Sequence, residues 1–374
     1  MAMLSRILDA INTYSLFFTL WLLFVTLLYI SLRLRSITKG REKFIYVIIP
    51  YVLYIFIVVC RDISDNTGGI DAVNYMKIFE WADMPLGDYI AFRKEEVGYL
   101  LLNWIIYRII PNVWVFFAVI HTIAFALCYK LLSGIKIRRS FLGWMFVFLY
   151  SAPLFTMFNT VRMGVCVYLG LYALKYCNNL QFRKAVLFAL GATLFHNSAL
   201  ILFVTIILLY AKQRLLSNNM FHIVVGAAFI VIGASMYILK RNPVISIYRT
   251  YSTFKEGSIA AGVFLITLLT TMFLGKIKDD KRFKNAYYII ETAILILAIN
   301  LSFSIAYRMY LIYLPFIYHI IYTYAPEMIR VNNIQYISVK KVLIYLMTLV
   351  FLAEVFKTLF IGVPDGLNGF ALRF

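Results

Sequence analysis

An acidic segment between two apolar stretches is the first place in this chain where side chains of a chemically useful kind collect. Residues 61–96 hold 8 of the protein's 17 acidic residues, whereas the hydrophilic gaps elsewhere are mostly short and basic. The eight are Asp62, Asp65, Asp71, Glu80, Asp83, Asp88, Glu95 and Glu96. A long acidic segment in an otherwise apolar and cationic protein predicts polar chemistry at a membrane surface.

Arginines at the ends of apolar stretches form the second group. A guanidinium in or at the edge of a membrane span is costly, so it usually faces a partner or a watery cavity. Arginine also presents a planar fork to phosphate oxygens and stays charged. The candidates are Arg61, Arg162, Arg249 and Arg308. If several converge on one cavity, they suit a phosphate or pyrophosphate group.

Each of these residues also has a structural interpretation. Arg61 is as well explained by pairing with loop carboxylates, because exposed ion pairs are common. His196 is equally suited to capping or packing at the tip of a hairpin. Nearby aromatic residues, including Tyr75 and Tyr310, suit stacking on sugar rings, but aromatic belts at lipid interfaces explain such residues equally well. The residues alone leave these alternatives open.

The composition decides the class of protein. Apolar residues make up 63% of the chain and charged residues 14%, with a mean hydropathy of +0.84. A soluble domain is usually about half apolar and a quarter charged. Apolar stretches of about 20 residues recur along the chain, and in lipid the backbone must satisfy its own hydrogen bonds. The sequence therefore predicts an all-α polytopic membrane protein, formed by residues 1–374 as a single membrane domain.

The net charge of +19 is explained by lysines and arginines in loops beside apolar spans, so nucleic acid is not expected as a partner. The four cysteines lack metal-ligand spacing and are interpreted as packing residues. No phosphate loop or zinc motif is present, so neither a metal nor a cofactor is expected.

The loop charges predict the topology. Basic residues after the first apolar stretch place that connection in the cytoplasm, so the segment 61–112 is external. Basic residues near 133–140 are cytoplasmic again, which requires one of 97–110 and 113–132 not to span. The short 97–110 stretch ends at Pro111 and suits a helix lying in the interface.

The apolar run 185–210 lies between two basic connections, so it is expected to enter and leave on the same side. Legs of about 13 residues reach roughly 20 Å, which gives a short hairpin with His196 and Asn197 at its tip. The count is about ten full spans plus this hairpin, or roughly 11–12 segments. The candidate site residues lie on the external side, with one sizeable loop there. The basic stretch 240–257 also falls outside, which suggests an anionic ligand on that side.

Five short motifs follow one another along the chain. After a span that ends in Arg-Asp come Gly-Ile-Asp-Ala-Val-Asn-Tyr, Glu-Val-Gly-Tyr, Asn-Thr-Val-Arg-Met-Gly, Leu-Phe-His-Asn-Ser-Ala-Leu and Tyr-Arg-Met-Tyr, at 69–75, 96–99, 159–164, 194–200 and 307–310. In this order the sequence resembles the EpsG/Wzy type of bacterial polysaccharide polymerase, which includes O-antigen polymerases. Ile70 and Ala72, where the family commonly has Thr, and Val97, where a Pro is usual, depart from the family pattern without removing a charged position.

The resemblance implies a metal-independent membrane glycosyltransferase with a GT-C-like fold in the bacterial inner membrane. Its substrates would be undecaprenyl-pyrophosphate-linked oligosaccharides, with the growing chain transferred to the non-reducing end of a new lipid-linked repeat unit at the periplasmic face. Members commonly work with a chain-length-determining co-polymerase, and the surrounding membrane lipid is the other expected partner.

The expected roles combine the resemblance with the residue chemistry. Arg162 and Arg308, with Arg61 and Arg249 as secondary candidates, stabilise the charge on the departing pyrophosphate. Glu96 and His196 are equal candidates for the general base. Asp71 is expected to orient the sugar; the expected substrate-binding tyrosines are Tyr75 and Tyr310. The main alternative is a flippase or transporter of lipid-linked oligosaccharide, although the internal repeats typical of transporters are not visible. An O-acyltransferase using His196 leaves the external arginines unexplained.

Overall fold

The computed structural model shows a helical protein with one short strand pair. It describes residues 2–38, 45–63, 69–217, 219–227, 230–231, 281–300, 305–324, 329–331, 335–337 and 339–360. The helices up to the hairpin are α1 (Ala2–Ile37), α2 (Ile45–Cys60), α3 (Ile70–Glu80), α4 (Leu86–Phe92), α5 (Val97–Ile109), α6 (Val113–Ser133), α7 (Phe141–Thr156), α8 (Val161–Asn178) and α9 (Phe182–Thr193). A one-turn 3₁₀ helix, Trp81–Asp83, separates α3 from α4.

The remaining described elements follow the 3₁₀ turn Asn197–Leu200. They are α10 (Ile201–Arg214), α11 (Lys281–Asn300), α12 (Ile305–Leu311), α13 (Leu314–Tyr324), β1 (Ile329–Val331), β2 (Gln335–Ile337) and α14 (Val339–Phe360), with further helical residues at 219–227 and 230–231. The strands β1 and β2 pair antiparallel, with Arg330 opposite Tyr336. This strand pair is a small addition to the expected all-α architecture.

Helix length and composition are consistent with a polytopic membrane protein. Among the described residues, Leu16–Ile37 and Val113–Ser133 are long and apolar enough to cross a membrane, and four shorter apolar helices accompany them: Ile45–Cys60, Val97–Ile109, Phe141–Thr156 and Asn285–Ile296. Exposed large apolar side chains such as Leu23, Ile49 and Ile109 mark these helices. An apolar surface of this kind suits contact with lipid, because lipid itself keeps these side chains out of water. The count of about ten spans stays a prediction.

The chain divides into two compact units. Of the described residues, the first contains α1 to α7, α8 as far as Tyr168, the segment Leu194–His196 and the end of α14 from Phe351; the second contains the other described residues. In the first unit α1 packs on α2 and α7, and α6 packs on α2, α5 and α7. Its centre is aromatic: the Tyr54 ring stacks on Phe24 and Phe125 at centroid distances of 5.1 and 6.0 Å. The Tyr54 hydroxyl is 2.7 Å from His121 Nδ1, which gives this buried hydroxyl a hydrogen-bond partner.

The second unit is joined by polar contacts as well as apolar packing. The Thr205 and Tyr313 hydroxyls lie 2.6 Å apart in its buried interior. Asn285 donates its side-chain amide to the Asn178 carbonyl at 2.9 Å. Gly170 leaves room for Ile312, since a Cβ there would meet the Ile312 side chain. These contacts connect α8 and α10 with the chain around α11 to α13.

The two ends of the first unit differ in charge. The Tyr29 hydroxyl donates to the Arg138 carbonyl at 3.0 Å, and Arg33 donates to the Ile137 carbonyl, so the end of α1 lies beside the basic connection between α6 and α7. At the other end of α7, the Asn159 side chain contacts the start of α3 in the acidic segment. The basic and the acidic connections thus lie at opposite ends of α7, and the positive-inside rule predicts such a separation of charge.

This separation predicts which connections a reagent can reach from each side of the membrane. In a variant without native cysteines, Asp88→Cys, at an exposed position in α4, is expected to react with an impermeant maleimide added to intact cells whose outer layer is permeable. Arg139→Cys, exposed in the basic connection, is expected to react only after the inner membrane is opened. Labelling of the second variant alone in intact cells would reverse the predicted orientation.

Candidate active site

A turn at residues 157–160, between α7 and α8, contacts two other parts of the acidic end. The Arg61 Nη1 atom donates to the Phe158 carbonyl at 2.7 Å. Gly69 lies against the same carbonyl, because a Cβ at this position would meet that oxygen; its φ of +112° also favours glycine. Asn159 Oδ1 accepts from the Asp71 amide at 3.0 Å. The turn therefore fixes the end of α2 and the start of α3 relative to α8.

Asn159 supplies an acceptor that α3 lacks by itself. Asp71 lies in the first turn of α3, where a backbone N–H has no carbonyl partner within the helix. The N-cap residue, Gly69, has no side chain to accept it. The Asp71 side chain is half-buried. Tyr75, four residues later, lies on the same face of α3.

Arg162 and Glu96 form an ion pair at the centre of this region. The Glu96 side chain is 7% exposed and the Arg162 side chain 20% exposed. The Arg162 guanidinium also lies over two tyrosine rings, 5.7 Å from the Tyr75 centroid and 5.4 Å from the Tyr99 centroid. The two rings meet edge to face at 5.8 Å. Helices α3, α5 and α8 each supply at least one of these side chains.

Burial makes this pairing obligatory. An isolated charge out of water costs several kcal/mol, and removing one partner of a buried pair typically costs about 3–5 kcal/mol. The π-faces of Tyr75 and Tyr99 add a weaker attraction for the cation. Arg162 Nε nevertheless has no hydrogen-bond acceptor among the residues that the structure describes. The guanidinium is thus held in place, and within the described part of the chain its buried Nε is an unpaired donor.

His196 lies on a segment that packs against the start of α5. The Tyr99 amide donates to the Leu194 carbonyl at 3.1 Å. The Cys166 thiol lies 3.9 Å from the His196 carbonyl oxygen, one helical turn along α8 from Arg162. The first unit therefore brings together the chain at His196 with Glu96 and Arg162, as well as Asp71 and Tyr75.

The rest of the acidic segment is folded into helices instead of an open loop. Trp104 Nε1 and Arg108 Nη2 both donate to the Met84 carbonyl, each at 3.1 Å. The buried Tyr89 hydroxyl donates to the Ile78 carbonyl at 2.9 Å. Side chains from α5 and α4 therefore fasten the segment, which gives Glu96 a rigid support.

An arginine fork lies next to this centre. Arg93 Nε donates to Glu95 Oε2 at 2.8 Å, and the Arg93 guanidinium lies 4.5 Å from the Trp81 ring centroid. Burial raises the pKa of the Glu95 carboxyl, but its hydrogen bond to Arg93 and the arginine's charge outweigh burial, so the pKa is lowered overall. Glu95 is consequently ionised at neutral pH and paired with Arg93.

Other predicted site residues lie elsewhere. Arg61 has no exposed surface and faces the Phe158 carbonyl between the rings of Phe117 and Phe158. Arg308, on α12 of the second unit, is exposed, whereas the Tyr310 ring two residues later is fully buried. Arg249 falls outside the described residues. The expected convergence of Arg249 and Arg308 with Arg162 thus stays a prediction.

Four residues of the site were not singled out from the sequence. Asn159, Tyr99 and Gly69 belong to the motifs, but their types suggested no chemistry; Cys166 resembled a packing residue. The missed signal was a glycine or a polar residue two to four positions away from a predicted functional one. Such neighbours hold the functional group in position rather than reacting.

Comparison with known sequences supports this arrangement of motifs. The family model of the EpsG family matches residues 47–361, a stretch that includes Arg61, Asp71, Glu96, Arg162 and His196. The chain belongs to the EpsG family. Searches of curated proteins and of solved structures found no match. At the family level, EpsG membership supports a polysaccharide polymerase, a glycosyltransferase-type enzyme that acts on lipid-linked glycans.

The chain offers a matched pair of variants for the role of Asn159. Asn159→Ala removes the acceptor of the Asp71 amide, and Asn112→Ala removes an equivalent acceptor, 2.8 Å from the Trp114 amide at the start of α6. Each is expected to lower the free energy of unfolding by about 1 kcal/mol, measured as a lower thermal midpoint in detergent. Only Asn159→Ala is expected to reduce polymerisation as well. Equal loss of activity in both variants would assign Asn159 a purely structural role.

Proposed function

We propose that this EpsG-family protein is a polysaccharide polymerase that transfers a growing glycan from undecaprenyl pyrophosphate to a new lipid-linked repeat unit. The hydroxyl at the non-reducing end of the new unit loses its proton to a general base, and its oxygen attacks the anomeric carbon of the growing chain. The bond from that carbon to the pyrophosphate oxygen breaks, and the lipid pyrophosphate leaves with the bonding electrons. The product stays attached to the acceptor's lipid.

The observation that carries the proposal is the setting of Arg162. Its guanidinium is held by Glu96 and two tyrosine rings, yet it retains an Nε without a protein acceptor among the described residues. A pyrophosphate leaving group gains charge as the anomeric bond breaks, and a preorganised cation stabilises that charge without reorganising at the moment of reaction. Arg162 is therefore assigned to the leaving group, and the reaction needs no metal.

The surroundings of Glu96 and of the chain at His196 support a choice between the two candidate bases. The Glu96 carboxylate is nearly buried and paired with Arg162, so accepting a proton would break that pair. The chain at His196 lies beside the same centre, and imidazole is the group most often used for proton transfer near neutral pH. His196 is proposed as the base, Glu96 as the residue that positions Arg162, and Asp71 as a contact to the sugar. Persistence of the acidic limb of the pH–rate profile in His196→Ala would contradict the first assignment.

The remaining arginines have supporting roles in this proposal. Arg61 acts through the Phe158 carbonyl, since its side chain has no exposed surface. Arg308 has an exposed side chain on α12 and is proposed to contact a lipid pyrophosphate. Arg249 is proposed for the same role from its place in a basic stretch predicted to be external. Tyr75 contributes its ring to the position of Arg162, and the buried Tyr310 supports α12.

The membrane arrangement completes the proposal. About ten spans and the 185–210 hairpin form a GT-C-like enzyme in the inner membrane, with the acidic end facing the periplasm. The helix–break–helix pattern of α9, residues 194–200 and α10 suits that hairpin. The 13 residues of α5 are too few to span the hydrocarbon, which suits an interfacial helix. A chain-length-determining co-polymerase is the proposed protein partner.

Reconstitution is the most direct test. The purified protein in liposomes is expected to convert undecaprenyl-pyrophosphate-linked repeat units into longer lipid-linked products, separated by gel electrophoresis, and to do so with a chelator present. Movement of the unchanged repeat unit across the bilayer without elongation would indicate a flippase instead. Elongation that stops when a chelator is added would refute the metal-independent mechanism.

Arg162 offers the sharpest test of the leaving-group role. Arg162→Ala is expected to lower the polymerisation rate constant about 10²- to 10³-fold, the usual effect of removing one stabilising donor. Arg162→Lys keeps the charge but not the planar fork, so partial activity is expected. Arg139→Ala is the control, since Arg139 is an exposed arginine in the basic connection before α7, at the other end of that helix from Arg162. Wild-type rates in Arg162→Ala, or an equal loss in Arg139→Ala, would refute the assignment.

A further inference from the structure

Gly98 is the place where the segment carrying His196 meets the segment carrying Glu96. A Cβ at this glycine would lie 2.6 Å from Leu194 Cβ and 2.8 Å from the Leu194 carbonyl oxygen. Real Cβ atoms do not approach other atoms so closely, and neither contacted atom is the far end of a flexible side chain. The backbone at Leu194 is thus as near to α5 as a residue without a side chain permits.

The hydrogen bonding of α5 depends on the same contact. Tyr99 is the third residue of the helix, so its amide has no acceptor within α5. The N-cap residue, Glu96, makes no side-chain capping bond, because its carboxylate is paired with Arg162. The Leu194 carbonyl accepts from the Tyr99 amide at 3.1 Å instead. The Leu194 carbonyl thereby caps the first turn of α5.

A second contact fixes the other side of the same short segment. The Cys166 thiol lies 3.9 Å from the His196 carbonyl oxygen, and Cys166 follows Arg162 by one turn of α8. The segment Leu194–His196 is part of the first unit, although the chain on either side of it belongs to the second. Its position is consequently set by α5 and α8, the helices that hold Glu96 and Arg162.

We propose that Gly98 is a positioning residue, whose missing side chain lets the Leu194 backbone dock on the first turn of α5 and so sets the place of His196 beside the Glu96–Arg162 pair. This inference rests on the proposed polymerase reaction for its catalytic consequence. The docking itself is independent of the reaction. A methyl group at position 98 pushes the segment away, and a shift of about 1 Å in a reacting group costs up to about 10²-fold in rate.

The test compares Gly98→Ala with Gly87→Ala. Like Gly98, Gly87 is a helical glycine, in α4, but a Cβ at Gly87 would meet no atom within 4 Å. In liposomes, Gly98→Ala is expected to lower the polymerisation rate constant by about ten- to a hundredfold while leaving KM for the lipid-linked unit nearly unchanged. Gly87→Ala is expected to behave as wild type. A wild-type rate constant in Gly98→Ala, or a change in KM alone, would overturn the positioning role.

Hydrogen exchange measures the docking without reference to activity. In the wild-type protein the Tyr99 amide is expected to exchange slowly, unlike the amide of the exposed Val97 at the start of α5. Gly98→Ala is expected to lose that protection, whereas Gly87→Ala keeps it. Fast exchange at Tyr99 in wild type would refute the docking even if Gly98→Ala fails to fold.

The two proposals fail in different ways. If Gly98→Ala loses the protection of the Tyr99 amide while the wild-type protein elongates no glycan, the polymerase proposal is refuted and the docking proposal is kept. An active wild type whose Tyr99 amide exchanges as fast as that of Val97 would keep the polymerase and refute the docking.

Discussion

The ion pair between Arg162 and Glu96 is the interaction on which the acidic end of the protein depends. Two charges with little solvent around them are tolerated only when they meet with good geometry. Arg162 begins α8 and Glu96 immediately precedes α5, so the pair determines how these two helices approach each other. Tyr75 on α3 and Tyr99 on α5 place aromatic rings against the guanidinium. The remaining contacts of the site can be understood as support for this arrangement.

That support comes largely from backbone groups. The Phe158 carbonyl accepts from Arg61 and lies against Gly69, while Leu194 offers its carbonyl to the amide of Tyr99. In both places a glycine lets two backbones approach, and a helix end or a buried cation supplies the hydrogen-bond donor. Glycine is required at such contacts for space, and at Gly69 also for its positive φ. In this chain, Gly69 and Gly98 are each two residues away from an acidic residue of the site, Asp71 and Glu96.

The sequence predicted the parts of this site whose chemistry is visible in single residues. Helical apolar stretches, the short helix 97–109 and the break around His196 followed from apolar length and loop charge. The candidates Asp71, Glu96, Arg162 and the His196 segment are all found in the first unit. Residue types alone did not predict their partners. Asn159 and Gly98 act through the position of another chain segment, and only coordinates bring Leu194 to the start of α5.

Other expectations depended on spacing that the sequence does not contain. Residues 305–324 form one apolar stretch in the sequence, but the structure interrupts it at Ile312 and Tyr313, between α12 and α13. The acidic segment was expected to be a loop, whereas α3 and α4 fold it through carbonyl contacts from Trp104 and Arg108. Hydropathy cannot reveal such contacts, because a tryptophan or arginine that fastens a neighbouring turn has the same composition as one at a lipid interface.

The Glu96–Arg162 pair also bears on which anions the proposed site accepts. An incoming group with one negative charge offers Arg162 little that Glu96 does not already provide. A pyrophosphate brings more than one charge and several acceptor oxygens, so it can use the Nε donor while the carboxylate keeps its place. Glu96 then keeps the guanidinium from turning away when the leaving group departs, and this preorganisation is what makes a fixed cation effective in catalysis. A carboxylate beside the arginine proposed to contact the pyrophosphate is therefore compatible with the proposed reaction, because it positions the cation.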